Sequence, residues 1–464
     1  MIVSGIMDSR ICIATLVGAL LCGACASTQP TEARQDVADI VSRAGGPGDV
    51  VTADLEEWSQ EQVAERVDEL LGEPLTVHRA TQIALLNNRG LLATFESLGV
   101  AQADLVEAGL LKNPMFTGGV AISTLNSSPG GDLGLSQSLL SAFLIPAKRR
   151  VAKANLKAAV MRVGDASLAL IRDVRVAHAQ AQAARTTRDL HMKLVQAAEV
   201  SDELAQRQHE AGNLTDLERE QVAAALDEAR MGMAEHQLEV VATREQLNRL
   251  LGLWGEQVDW TLAADSSSLA PHGVELEGLE GLGIARRLDV SAARFDVESM
   301  QYALELRRRG IVPEIEVGIE ARNEVGDHAG HEWVLGPTLA IEIPIFNPGH
   351  ADFARLGAML RAAEHRLQQT AVDARSHIRM HREQLVTARR RVEYLRDTVV
   401  PRRRRVGARA LERYNAMLIG AYELFEIQGG VVEAQIELAH ALQDFWIAWA
   451  ELERAVGGPL PARK

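Results

Sequence analysis

Proline is nearly absent from two long stretches of this 464-residue chain, and that absence most limits what it can fold into. Residues 147–270 hold none, and residues 349–458 hold only Pro401. A proline inside a helix removes a hydrogen bond and clashes with the preceding turn, at ~3 kcal/mol. Stretches without it are where long helices can exist. Both are rich in Ala, Leu, Glu, Gln and Arg, which favour helix. Leu168, Ile171, Val174, Ala177 and Ala181 recur at steps of three or four, as do Leu442, Phe445, Trp446, Trp449 and Leu452. That spacing makes an apolar stripe on an otherwise polar helix. Helices this long must pack side by side as coiled coils.

Each stretch has one internal break, at Ala211-Gly212-Asn213 and near Asn415–Gly420. The first arms, 147–211 and 349–414, are about 65 residues each, or ~100 Å of helix. The return arms, 213–252 and 421–457, are about 40 residues, or ~60 Å. Pro401 predicts a kink near the second turn.

The two halves of the chain match each other. Leu247–Gly252 pairs with Leu452–Gly457 at a shift of 205, Asn113-Pro114 with Val312-Pro313 at 199, and Pro146 with Pro348 at 202. Thr215-Asp216-Leu217 and Gln221 align with Tyr422-Glu423-Leu424 and Gln428 at 207. A period this long reads as a duplicated domain rather than a short-repeat array. Each half reads helix, two strands, long helix, turn, return helix.

All three cysteines, Cys12, Cys22 and Cys25, lie at the start of the chain, so no disulfide framework or thiol site is expected beyond them. Arg10, the apolar run Ile11–Leu21 and the small residues before Cys25 read as a secretory signal over 1–24. The run is too short to span a bilayer. Gly23-Ala24-Cys25 is similar to a lipoprotein cleavage site, which implies acylation of Cys25. The remaining boundaries are a tether with short helices at 25–74, repeat 1 at 75–252, a linker at 253–274, repeat 2 at 275–458 and a tail at 459–464. The net charge of −14 argues against nucleic acid as a partner. The 4% aromatic content suits thin Ala/Leu layers rather than one thick core.

Between the helices of each half lies a β-like segment. Glu314–Arg322 alternates, with Ile315, Val317, Ile319 and Ala321 on one side and Glu314, Glu316, Glu320 and Arg322 on the other. Its partner is expected over 335–345, with Pro337 and Pro344 near strand ends or a bulge. In half one the strands are expected at about 115–124 and 133–143, with a turn at Asn126–Gly131. Such alternation over about ten residues suits a transmembrane strand, and equally a soluble hairpin with one wet face. Four strands cannot close a barrel, and lipid does not tolerate an open edge. If these strands are in a membrane, several chains must share one barrel.

These features together resemble the TolC-type outer-membrane factor family over roughly 75–458. The resemblance is carried by Ala211–Leu217, Arg287-Leu-Asp-Val290 and Tyr414–Gln428. It implies a mainly α fold with a small β part: a duplicated helix–β-hairpin–long helix–helix repeat, assembled as a trimeric α-helical barrel topped by a shared twelve-stranded transmembrane β-barrel. It implies an outer-membrane channel, not an enzyme, serving a tripartite efflux pump. The implied partners are two further copies of the chain, a periplasmic adaptor, an inner-membrane transporter of the resistance-nodulation-division type and outer-membrane lipid. No cofactor is implied. Arg287–Val290 and Ile343–Gly349 look most like channels of the heavy-metal export subgroup.

By the same resemblance, Gly212 and the residues around Met417 are periplasmic tips, with Thr215 and Asp216 just past the first and Gly420 near the second. Tyr414 matches a gate residue, and Glu423 and Glu426 an acidic pair facing the lumen, where threefold symmetry makes two carboxylate rings. Arg402, Arg403, Arg404 and Arg405 suit either a solvated face pairing with Glu199, Glu203 or Glu210, or a docking patch for the adaptor. His328 and His331, with Asp327 and Glu332, read as a solvated loop rather than a metal site. No phosphate loop, nucleophile elbow or zincin motif is present. A type I protein-secretion channel and a periplasmic coiled-coil scaffold lipoprotein remain the alternatives.

Overall fold

The computed structural model describes residues 29–47, 59–122, 129–263, 275–309, 315–325, 331–343, 345–346 and 348–461. The signal segment, Cys25 and His328 lie outside them. Two units are distinguished: one includes Glu96–Ala159 and Phe295–Glu364, the other Glu32–Phe95, Val160–Arg294 and His365–Lys464.

In half one, α1 (Thr31–Arg43), α2 (Gln60–Leu71), α3 (Val77–Asn87) and α4 (Arg89–Glu107) precede strands β1 (Met115–Ile122) and β2 (Pro129–Ser138). A 72-residue helix α5 (Leu139–Glu210) and a return helix α6 (Asp216–Leu251) follow. Half two repeats this as α7 (Leu279–Arg286), α8 (Leu288–Arg309), β3 (Ile315–Val325), β4 (His331–Ile341), α9 (His350–Tyr394), α10 (Val400–Asn415) and α11 (Ala421–Val456). The helix expected ahead of each strand pair is two helices. Asn88 and Arg287 take extended backbone and break it.

Several expectations need correction. Helix α5 begins at Leu139, so β2 ends before residues 139–143 and Pro146 lies inside the helix. One missing backbone hydrogen bond near the end of so long a helix is outweighed by the rest of the ladder. Similarly, β4 ends at Ile341, and Pro337 falls within it rather than at its end. Within one chain β4 is an edge strand, and a proline in it withholds a single N–H from an eleven-residue strand. At Pro401 the irregularity is a π turn over Leu395–Val399, in which the Val400 amide donates to the Leu395 carbonyl. The wider ring carries the chain past a residue with no N–H.

The repeat register is also corrected. α6 and α11 are both 36 residues long and start and end 205 positions apart (216 and 421, 251 and 456). Thr215 therefore corresponds to Gly420 and Asp216 to Ala421, not to Tyr422 and Glu423. The alignment at 207 would turn one helix by ~200° and bury its wrong face.

In the helical unit a core forms along α9 and α11, from Ile378, Leu385 and Val392 against Phe445, Ala448 and Leu452. Phe445, Trp446 and Trp449 meet as tilted and edge-on ring pairs. Ala198 of α5 packs with Leu226 and Ala229 of α6, and Phe425 of α11 covers them.

Candidate functional site

The β unit is one antiparallel sheet of order β1-β2-β3-β4, so β1 and β4 are its edges. The register sorts side chains into two faces. One level across the strands reads Phe116, Leu135, Ile319 and Pro337, and the next on the same face reads Gly118, Leu133, Ala321 and Leu335. Val317 and Leu339 continue this face. The opposite face carries Thr117, Gly134, Glu320 and Gly336, then Asp132, Arg322 and Val334. The apolar face is open, Phe116 keeping 70% of its surface exposed and Leu335 72%, against 49% for Val334 on the opposite face. A sheet turns its apolar side outward when the medium it meets is hydrocarbon. The Gly-rich strands of half one, weak by themselves, acquire their faces through pairing with β3. Among the described residues, no helix is long and apolar enough to cross a membrane.

The first helix turn sits at Gly212, which has φ 75°. The Asn213 amide donates to the Gln208 carbonyl at 2.8 Å and the Gly212 amide to the His209 carbonyl at 2.8 Å, closing α5 with a Schellman motif. Thr215 then caps α6. Its hydroxyl accepts from the Glu218 amide at 3.3 Å, and Glu218 accepts from the Thr215 amide at 2.9 Å. The Thr215 amide, and its hydroxyl donating at 2.7 Å, hold the Glu218 carboxyl below its usual range. The cap is therefore intact above the ordinary carboxylate pKa and weakens as pH falls through the lowered one. Asp216 is solvent-exposed, 3.4 Å from His209 Nε2. Thr215→Ala is expected to cost ~1 kcal/mol. Faster amide exchange confined to the first turn of α6 would register it.

The second turn repeats the motif with Met417 where Gly212 stands. The Leu418 amide donates to the Arg413 carbonyl and the Met417 amide to that of Tyr414, both at 2.9 Å. Met417 has φ 58°, a left-handed conformation found at no other described non-glycine residue. The residue is 93% exposed. Gly420, with φ −80°, is the N-cap of α11 and contributes no side-chain bond.

Tyr414 lies half-buried at the end of α10. Glu423 and Glu426 are both exposed on the first turns of α11. The Tyr422 hydroxyl donates to Glu426 at 3.2 Å. The Glu426 charge, this bond and the charge of Glu228 push the Tyr422 phenol above its ordinary pKa.

Arg402, Arg403, Arg404 and Arg405 are all exposed. The expected pairing with α5 is corrected: Glu199 pairs with Arg230 at 3.2 Å, Glu203 with Arg207 at 2.5 Å, and Glu210 accepts from Gln206. By contrast, Arg389 and Arg391 are engaged, with Glu393 and Asp444.

Sequence reasoning passed over the ends of the return helices. Gly252 and Gly457 close α6 and α11 with φ 70° and 81°. A Cβ on Gly252 would lie 2.5 Å from the Asn87 carbonyl oxygen, and one on Gly457 would lie 3.1 Å from the Arg286–Arg287 backbone. Asn87 donates to the Leu251 and Gly252 carbonyls at 3.1 and 2.8 Å, and Arg287 to the Ala455 carbonyl at 3.3 Å. The same corner is thus built twice, with an amide in one half and a guanidinium in the other.

Arg287 also pairs with Asp289 at 2.6 Å, which accounts for the spacing in Arg287-Leu-Asp-Val290. Burial pushes the Asp289 carboxyl up, but the bond and charge of Arg287 outweigh it and hold the pKa low. Nearby, burial raises the Asp165 carboxyl despite Arg454 at 2.8 Å. Among the described residues, no group of three or more His, Cys, Asp or Glu side chains is arranged to hold a metal.

A two-faced sheet with one open apolar side, in a chain that repeats its long helices, is the make-up of an outer-membrane channel. The family model for outer membrane efflux proteins matches residues 80–253 and 282–458, and this chain belongs to that family. The solved CmeC outer membrane channel of Campylobacter jejuni is similar at 16% identity and a TM-score of 0.72, over 83% of this chain and 86% of that one. The outer membrane protein VceC of Vibrio cholerae matches at 16% identity and 0.66, over 83% and 97%. The MtrE outer membrane channel of Neisseria gonorrhoeae matches at 16% and 0.64, over 83% and 90%. No curated protein sequence matches the chain. The protein is an efflux channel of the outer membrane, extending into the periplasm, and is not an enzyme. It serves a tripartite pump, with an adaptor and an inner-membrane transporter as the other parts. Family membership removes the periplasmic scaffold reading.

Proposed function

We propose that three copies of this chain pool their four-stranded sheets into one barrel and act as the passive exit duct of a pump of the resistance-nodulation-division type. The observation that carries this reading is the pair of open edges, β1 and β4, on a sheet with one open apolar face. Unpaired strand edges are not tolerated in hydrocarbon, and pairing β4 of one copy with β1 of the next removes them all. Outer-membrane fractions are expected to contain a heat-modifiable trimer that needs detergent to leave the membrane. A monomer soluble in water without surfactant would end the proposal.

The tips supply gating and docking. Gly212, Thr215, Asp216, Tyr414, Met417 and Gly420 form the periplasmic constriction, and Glu423 and Glu426 supply carboxylate rings that favour cations in the lumen. Acylation of Cys25 anchors the chain to lipid. Metal ions are the proposed cargo, on the sequence pattern of the second half. Arg402–Arg405, exposed and clustered, are the proposed adaptor contact. Reversing Arg403 and Arg404 to Glu is expected to weaken adaptor capture at least tenfold while the trimer stays intact. Unchanged capture would exclude the patch.

A further inference from the structure

Helix α9 carries a row of side chains four residues apart: His365, Gln369, Asp373, His377 and His381. Successive members of such a row are neighbours one turn apart, while the row as a whole winds around the helix by ~40° per step. Four of the five are metal-ligating types, and His365, Asp373 and His377 are exposed, with His381 half-buried beside them.

The His377 and His381 rings stand with centroids 6.2 Å apart, tilted by 56°. With metal–nitrogen bonds of ~2.0–2.1 Å, an ion lies about 3.2 Å from each ring centroid, so a single ion bridges imidazoles separated by up to about 6.4 Å. The observed pair lies at the open end of that reach, and rotation about the side-chain bonds of the two residues brings the rings to the ~4.5–5.2 Å of a cis or tetrahedral pair. His381 Nδ1 is 2.9 Å from Gln384 Oε1. With Nδ1 donating that bond, Nε2 keeps its lone pair for a metal, the arrangement by which an outer hydrogen bond orients a ligating histidine. Two of the neighbouring cations are paired: Arg379 with Glu280 at 3.0 Å and Arg382 with Glu383 at 2.7 Å. Asp373 accepts from Gln369 at 2.8 Å and lies one turn beyond His377, on the side away from His381. It adds negative charge without completing a three-ligand set.

The geometry assigns His377 and His381 as a two-imidazole site for a borderline divalent cation, with solvent filling the remaining positions. Cu2+ is held most tightly, ahead of Ni2+ and Zn2+, following the usual order for nitrogen ligands. This goes beyond the channel reading and does not depend on it.

The test uses untagged full-length protein in detergent, titrated with Cu2+ and read by electron paramagnetic resonance. One Cu2+ per chain with coupling to two nitrogens is expected. His377→Ala and His381→Ala should each weaken binding at least tenfold, with helicity unchanged because the site is on the surface. Among the described residues a second close imidazole pair, His191 and His236, has centroids 4.1 Å apart, and replacing both by Ala should leave the signal intact. A two-nitrogen signal that survives the His377→Ala/His381→Ala double variant, or that disappears with the His191/His236 variant, would overturn the assignment. So would a wild-type chain with no such signal.

Discussion

Replacing Ile319 by arginine is expected to abolish assembly in the outer membrane. Ile319 lies in β3 at the level of Phe116, Leu135 and Pro337, on the exposed apolar face. An arginine facing lipid near the bilayer midplane costs ~2–4 kcal/mol. A trimer repeats that cost in each copy, for ~6–12 kcal/mol in all, comparable with the whole stability of an ordinary domain. The measurement is the amount of heat-modifiable trimer in outer-membrane fractions, which should fall to background. Gly336→Lys is the control: it falls on the polar face beside Glu320, where an added Cβ meets no atom within 4 Å. That variant should assemble normally. If Ile319→Arg assembled as well as Gly336→Lys, the exposed face would not be the lipid face.

The second large effect is expected from Gly252→Ala. The new Cβ would lie 2.5 Å from the Asn87 carbonyl oxygen, at a residue held at φ 70°. Left-handed backbone costs an L-residue ~1–2 kcal/mol, and forcing extra volume into packed surroundings costs ~1–3 kcal/mol more. The joint between α6 and the α3–α4 corner should loosen, and the urea midpoint of the helical unit should fall accordingly. Gly212→Ala separates the two causes. Gly212 has φ 75° but nothing within 4 Å of an added Cβ, so only the backbone cost applies. Equal losses from both variants would mean that the clash with Asn87 is relieved by a small backbone shift.

The long arms were legible because helix propensity and proline act locally, and their effects add over dozens of residues. Their ends were less so. Pro146 marked a boundary in the sequence, yet the helix runs past it, since one lost bond is small against a 72-residue ladder. The tip register was read two residues out because Leu217 and Leu424 matched by residue type. The caps, with Met417 in the place of Gly212, put the correspondence at 205. The pairing assigned to the four arginines failed because Glu199 and Glu203 already had partners, Arg230 and Arg207.

Of the candidate site, the alternation in β3 was plain from its residues, whereas the role of the Gly-rich strands was not. Phe116 and Leu135 declare a face only when Ile319 lies beside them, and strand pairing is a property of residues far apart in the chain. The corners at Gly252 and Gly457 were invisible for the same reason: what makes glycine necessary there is a backbone that approaches from elsewhere. The amino-acid order alone determined the helical arms, the duplication and the alternating strand, because each depends on periodicity within a segment. Only the tertiary structure decided the apolar face of the sheet, the cap register and the glycine corners, because each depends on contact between segments that periodicity does not encode.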